Sequence, residues 1–144
     1  NGGYVVSSSD VIKFLREKAP TYVYSNPITV SESEAAIKAL DIVDSKEGKE
    51  ILSHLKEMTK RFDKGLADAG FETIKGDHPV VPLMVRDSQK TSKMVQYLNK
   101  NGILATGLNY PVVPKGDEEI RFQISASHTK ADIDFVLDVL KKYE

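Results

Sequence analysis

The chain has 144 residues, with 20 Lys and Arg against 21 Asp and Glu, three histidines and no cysteine or tryptophan. That length suffices for a core without disulfides, and the lack of cysteine removes thiol nucleophiles, disulfide frames and thiolate metal sites. Residues 1–75 hold 11 basic and 12 acidic side chains and residues 76–144 hold nine of each, so neither half carries the positive field that nucleic acid demands.

Asn1-Gly2-Gly3 opens the chain without Met, which suggests a start inside a larger fold, and Tyr4-Val5-Val6 reads as a short strand. Ser7-Ser8-Ser9-Asp10 is a helix-start cluster; Val11, Ile12, Phe14 and Leu15 continue the helix until Pro20 stops it. Thr21 to Tyr24 alternate β-branched and aromatic residues and read as a strand or extended arm that Asn26-Pro27 ends. Ser31-Glu32-Ser33-Glu34 fits a capping box, and Ala35 to Val43 continue it as a well-buried helix.

Asp44 to Gly48 is the one polar, linker-like stretch in this half. Beyond it Ile51, Leu52, Leu55, Met58, Phe62, Leu66 and Ala69 recur at three- and four-residue steps, until Gly70 supplies a left-handed stop. Such a narrow apolar stripe predicts a helix packed on one side of a sheet. From Phe71 the expected order is β-β-α-β-β-α: strands at 71–74 and 79–85, a helix from Asp87 to Gly102, strands at 103–105 and 120–125, and a final helix. Thr129 and Asp132 cap that last helix, with Ile133, Val136, Leu137 and Leu140 on one face. No apolar run nears the ~20 residues of a membrane span. The whole reads as an ordinary cytosolic α/β or α+β protein.

Alternation puts Ile120, Phe122 and Ile124 on one face of the last strand and Arg121, Gln123 and Ser125 on the other. Arg121 therefore leaves the core, either as a solvated guanidinium or as a fork for a carboxylate, and periodicity leaves both open. The stiff segment from Gly107 to Gly116, with two prolines, suits a pocket lining or a covered structural loop. Ser25 and Asn26 suit either donors aimed at an anion near a helix start or a plain turn. His54, His78 and His128 have neither metal-ligand spacing nor a paired nucleophile, and structural roles are expected for them.

Tyr110-Pro-Val-Val-Pro-Lys-Gly116 followed by Ile120-Arg-Phe-Gln-Ile-Ser-Ala-Ser-His-Thr129 resembles the C-terminal signature of the α-oxoamine synthases. The resemblance extends from Gly2-Gly3-Tyr4 through Tyr22 to Asn26 and Gly76-Asp-His-Pro79 to the last helix. It implies an aminotransferase-like, type I fold: residues 1–44 as a remnant of the large cofactor-binding domain and residues 45–144 as a small domain, a mainly antiparallel sheet with helices on one face. It also implies a pyridoxal phosphate-dependent acyltransferase, a homodimer condensing glycine with an acyl-CoA, acetyl-CoA in the first instance.

Within it, Arg121 matches the arginine that holds the substrate carboxylate. Ser25 and Asn26 match a pair that reaches the cofactor phosphate of the other subunit. The Schiff-base lysine precedes Gly2 in the family and is not in this sequence, so the chain by itself is expected to be inactive and to bind no cofactor. Pro27 stands where a small polar residue is usual and Glu119 where a basic residue is common. A sister synthase with another amino acid or a longer acyl chain is the alternative of the same class. A self-contained module that binds carboxylates or dimerises is the alternative of another class.

Overall fold

The computed structural model describes residues 3–143. Two compact units divide the chain, Asn1–Gly48 and Lys49–Glu144. In the first, α1 (Ser9–Lys18), α2 (Pro20–Val23) and α3 (Val30–Asp44) follow one another with no buried residue in any of them. The expected strands at Tyr4 to Val6 and Thr21 to Tyr24 do not form. Tyr4 to Val6 is irregular and exposed, and Pro20 at the first helical position presets the dihedral for a single turn that takes in Tyr22 and Val23.

The capping box of α3 sits two residues earlier than expected. The Thr29 hydroxyl accepts from the Glu32 amide at 3.3 Å and Glu32 Oε2 accepts from the Thr29 amide at 3.2 Å. Both Thr29-x-x-Glu32 and Ser31-x-x-Glu34 match the pattern, and the earlier one closes the helix directly after the segment that Pro27 keeps extended. The well-buried helix expected at Ala35 to Val43 is also corrected: Ile37, Leu40, Ile42 and Val43 are exposed. Three short helices offer too little surface to one another to cover an apolar stripe of that size.

The second unit carries the core. In α4 (Lys46–Asp68), Met58, Phe62 and Leu66 are fully buried, whereas Ile51 and Leu52 at the start of the same stripe are exposed. Gly70 (φ 84°) ends the helix in a Schellman motif, the Gly70 amide donating to Ala67 and the Phe71 amide to Leu66. Residues 71–74 contribute only one bridge, Thr73 opposite Leu83. Then β1 (Val80–Met84), α5 (Ser88–Lys100), β2 (Thr106–Leu108), β3 (Glu119–Gln123) and α6 (Lys130–Lys141) follow.

The strand expected at Ile103 to Ala105 starts three residues late for a local reason. Gly102 (φ 77°) closes α5 with a second Schellman motif in which the Ile103 amide donates to Leu98, so Ile103 is spent on the cap and packs back on the core. Leu104 then points out, 93% exposed.

The sheet has the order β1-β3-β2, antiparallel throughout, with Val81 opposite Phe122, Leu83 opposite Ile120, and Gly107 also opposite Ile120. Those residues form the inner face, and α4, α5 and α6 pack on it in one cluster with Met94, Leu98, Ile133, Leu137 and Leu140. Phe62 meets Phe122 edge-on at 5.1 Å between ring centres. Two glycines permit the closest approaches: a Cβ on Gly65 would lie 2.3 Å from Leu137 Cδ1, and one on Gly107 would lie 2.8 Å from Val95 Cγ2. The Thr129–Asp132 capping box of α6 forms as expected.

Candidate functional site

Because α4, α5 and α6 occupy the inner face, the outer face of the sheet belongs to the alternate residues of β3. Glu119, Arg121 and Gln123 project there, and the row across the sheet at Arg121 is completed by Thr106 and Pro82. The Arg121 side chain is 52% exposed, and its Nε donates to Glu119 Oε1 at 2.5 Å. Its two Nη groups have no hydrogen-bond partner among the described residues. A guanidinium presented in this way keeps the two-pronged edge that matches the two oxygens of a carboxylate.

Glu119 is a partner that alternation alone could have supplied, since residues two apart on a strand share a face. Its side chain is only 7% exposed, in a row with Met84 and Leu108.

The segment before Glu119 is fastened at several points. Glu118 is buried, and its carboxylate accepts from the Gly116 amide at 2.9 Å and from the Ser88 hydroxyl at 3.0 Å. Its own backbone amide foremost, with those two donors, holds its carboxyl below the usual range against the opposing effect of burial. Arg86 adopts a left-handed backbone (φ 64°), and both its amide and that of Val85 donate to the Glu118 carbonyl. Its Nη1 donates to the Gly116 carbonyl and to Asp117 at 2.9 Å each, and its Nη2 to Glu72 at 2.5 Å. Strain at that backbone position is tolerated because the Arg86 amide and these three guanidinium hydrogen bonds over-determine it. The Glu72 carboxylate, then Asp117, keeps the Arg86 guanidinium protonated above its ordinary value, and Arg86 holds Glu72 below its own. The start of β3 is thereby fixed, and Arg121 with it.

Ser25 and Asn26 lie exposed on the irregular stretch between α2 and α3, and neither side chain has a hydrogen-bond partner among the described residues. They belong to the first unit and Arg121 to the second. A free hydroxyl and a free amide suit a phosphate's oxygens as a donor set. Among the described residues, this hydroxyl and amide fit the phosphate end of pyridoxal phosphate.

The segment from Gly107 to Gly116 does not line the groove between the sheet and α6. Tyr110 and Val112 are exposed, Asn109 Nδ2 reaches Ser92 at 3.2 Å, and Lys115 Nζ stands 5.1 Å above the Tyr110 ring. A groove of about 420 Å³ lies elsewhere in the second unit, between the helix side of the sheet and α6, with Phe62, Leu104, Phe122, His128 and Phe135 in its walls and Arg121 outside them.

All three histidines have local partners. His54 Nε2 donates to the His128 carbonyl at 2.9 Å, His128 Nδ1 accepts from the Ser125 amide at 3.1 Å, and His78 Nδ1 accepts from the Val80 amide at 3.2 Å. Among the described residues no cluster of metal-ligating side chains occurs and no helix is long and apolar enough to cross a membrane.

Residues 1–140 match the family described as aminotransferase class I and II. The chain belongs to that family. Among its relatives, 2-amino-3-ketobutyrate coenzyme A ligase of Salmonella typhimurium is 34% identical over 142 residues, covering 99% of this chain and 35% of the relative. The mitochondrial enzyme of that name from Homo sapiens is 37% identical over 134 residues, 93% of this chain and 32% of the relative. An 8-amino-7-oxononanoate synthase of Thermosipho melanesiensis is also 34% identical, over 98% of this chain and 36% of the relative. These are α-oxoamine synthases, and the chain is a member of that pyridoxal phosphate-dependent group. It spans about a third of the length of the curated relatives it matches.

The fold agrees: a serine palmitoyltransferase from S. paucimobilis superposes with a TM-score of 0.80 at 22% identity, covering 94% of this chain and 34% of that one. The 8-amino-7-oxononanoate synthase of Francisella tularensis does so with a TM-score of 0.73 at 16% identity, covering 94% and 39%. The expected fold class, an aminotransferase-like α/β chain with a small antiparallel sheet, is what the structure has.

Proposed function

We propose that this chain is the C-terminal part of a pyridoxal phosphate-dependent acyltransferase of the glycine C-acetyltransferase (2-amino-3-ketobutyrate coenzyme A ligase) type. In the reaction, the glycine α-carbon loses a proton and forms a bond to the acetyl carbonyl carbon as the thioester C–S bond breaks, giving 2-amino-3-oxobutyrate and CoA. On this reading residues 1–44 complete a large domain, residues 45–144 are the small domain, and the working protein is a homodimer.

The observation that supports it most is the Arg121 guanidinium, held at Nε and free along its Nη edge on the outer sheet face. There it takes the glycine carboxylate through paired charge-assisted hydrogen bonds. Anchoring the carboxylate fixes rotation about the neighbouring bond, so one Cα–H bond is presented in a constant direction. Pyridoxal phosphate, when bound, supplies the electron sink for negative charge at that carbon. Ser25 and Asn26 donate to its phosphate from the neighbouring subunit.

The test is Arg121→Ala in the full-length protein, read as glycine KM. Loss of a charge-assisted pair is worth about 1.5–3 kcal/mol, or about 10- to 150-fold in KM. An unchanged glycine KM would remove Arg121 from the site. A sister specificity is the second reading, favoured by the Thermosipho melanesiensis 8-amino-7-oxononanoate synthase at the same 34% identity as the Salmonella typhimurium ligase. Assay of the full-length protein with glycine, serine and alanine against acyl-CoA chains of increasing length separates the two.

A further inference from the structure

We infer that Glu119 is a positioning residue for substrate selection: it holds the Nε edge of Arg121 so that only the Nη edge is offered to an incoming carboxylate. The inference rests on the reading of Arg121 as the substrate's carboxylate partner and adds a residue to that site.

A guanidinium can take a carboxylate along either of two edges, side-on through Nε and one Nη or end-on through both Nη groups. Here Nε is committed to Glu119 Oε1, which leaves the end-on edge. The two members of the pair are unequally placed, Glu119 being 7% exposed and Arg121 52%. Flanked across the sheet by Met84 and Leu108, the carboxylate is the fixed member and the arginine the long, flexible one. Holding the first donor of a four-rotor side chain removes freedom that substrate binding would otherwise have to remove.

The pairing has a second effect. Glu119 offsets the charge of Arg121, so an anion gains little from attraction alone and must present two oxygens at the spacing of the Nη fork. A planar α-carboxylate does so, and a spherical anion such as chloride does not.

The test uses the full-length protein with glycine and acetyl-CoA, comparing Glu119→Leu, Glu119→Gln and Arg121→Ala by KM, kcat and thermal stability. Leucine fills the slot beside Met84 and Leu108 but accepts no hydrogen bond, whereas the glutamine amide oxygen still accepts from Nε. Expected for Glu119→Leu is a glycine KM higher by about three- to tenfold, the cost of ordering one long side chain, with kcat and the acetyl-CoA KM unchanged. Glutamine should restore the glycine KM to within about twofold and should make chloride a stronger competitor of glycine, since the offsetting charge is gone.

If Arg121→Ala raises the glycine KM while Glu119→Leu leaves it unchanged, the positioning role is refuted and the reading of Arg121 stands. If Glu119→Gln is as impaired as Glu119→Leu, the hydrogen bond is not what matters and the inference fails in that form. Should neither Arg121→Ala nor Glu119→Leu move the glycine KM, the reading of the site itself fails.

Discussion

Gly65 gives the sharpest test of the packing that supports the candidate site. It lies on the buried side of α4, where an added Cβ would stand 2.3 Å from Leu137 Cδ1, 2.9 Å from Cδ2 and 3.1 Å from Cγ. Two effects of Gly65→Ala oppose one another. Helix propensity favours alanine by about 1 kcal/mol. Overpacking a filled core disfavours it by about 1–3 kcal/mol, and Leu137, itself 6% exposed, belongs to the buried core cluster. The steric effect should win by about 1 kcal/mol.

The assay is urea unfolding of the 144-residue chain followed by far-ultraviolet circular dichroism, for the wild type, Gly65→Ala, Leu137→Ala and the double variant. Leu137→Ala should cost about 2–5 kcal/mol. In the double variant the new methyl occupies part of the emptied space, so its loss should fall short of the sum of the singles by at least about 1 kcal/mol. A Gly65→Ala chain more stable than wild type, with additive singles, would refute the close approach of α4 and α6. The backing of Phe122, and so the setting of Arg121, would then need another account.

Further outcomes follow from single contacts. Thr129→Ala, which removes the hydroxyl that accepts from the Asp132 amide, should lower stability by about 1 kcal/mol in the same unfolding assay. Acid should destabilise the chain: the Asp134, Glu72 and Glu57 carboxyls are held below their ordinary range chiefly by hydrogen bonds from Arg61, Arg86 and Lys130, and that of Asp132 by the Thr129 amide. Since the unfolded chain binds these protons more readily, their contribution is complete above the ordinary carboxylate range of about pH 4 and is lost as pH falls below it. Melting temperatures from pH 7 to pH 2 check this, and added salt should shrink the effect because these pairs are exposed. Assayed alone with glycine, acetyl-CoA and pyridoxal phosphate, the 144-residue chain should release no CoA thiol, because on the proposed reading the Schiff-base lysine precedes Gly2; thiol release would overturn that reading.

What the sequence determined by itself was local and periodic. The stripe of Met58, Phe62 and Leu66, the stops at Gly70 and Gly102, the Thr129–Asp132 box and the outward turn of Arg121 each depend on residues within a few positions of one another. Short segments are ambiguous where two local solutions compete. Thr21 to Tyr24 became a helical turn behind Pro20, Ile103 was taken by a helix cap, and the box of α3 closed on Thr29 rather than Ser31. Tertiary structure alone decided which apolar faces find a cover: Leu137 meets Gly65, while Ile37 and Leu40 of an equally apolar helix stay exposed. It also joined Arg86 to Glu72 and Asp117, 14 and 31 residues away, because burial and charge pairing depend on distance in space, on which a linear pattern is silent.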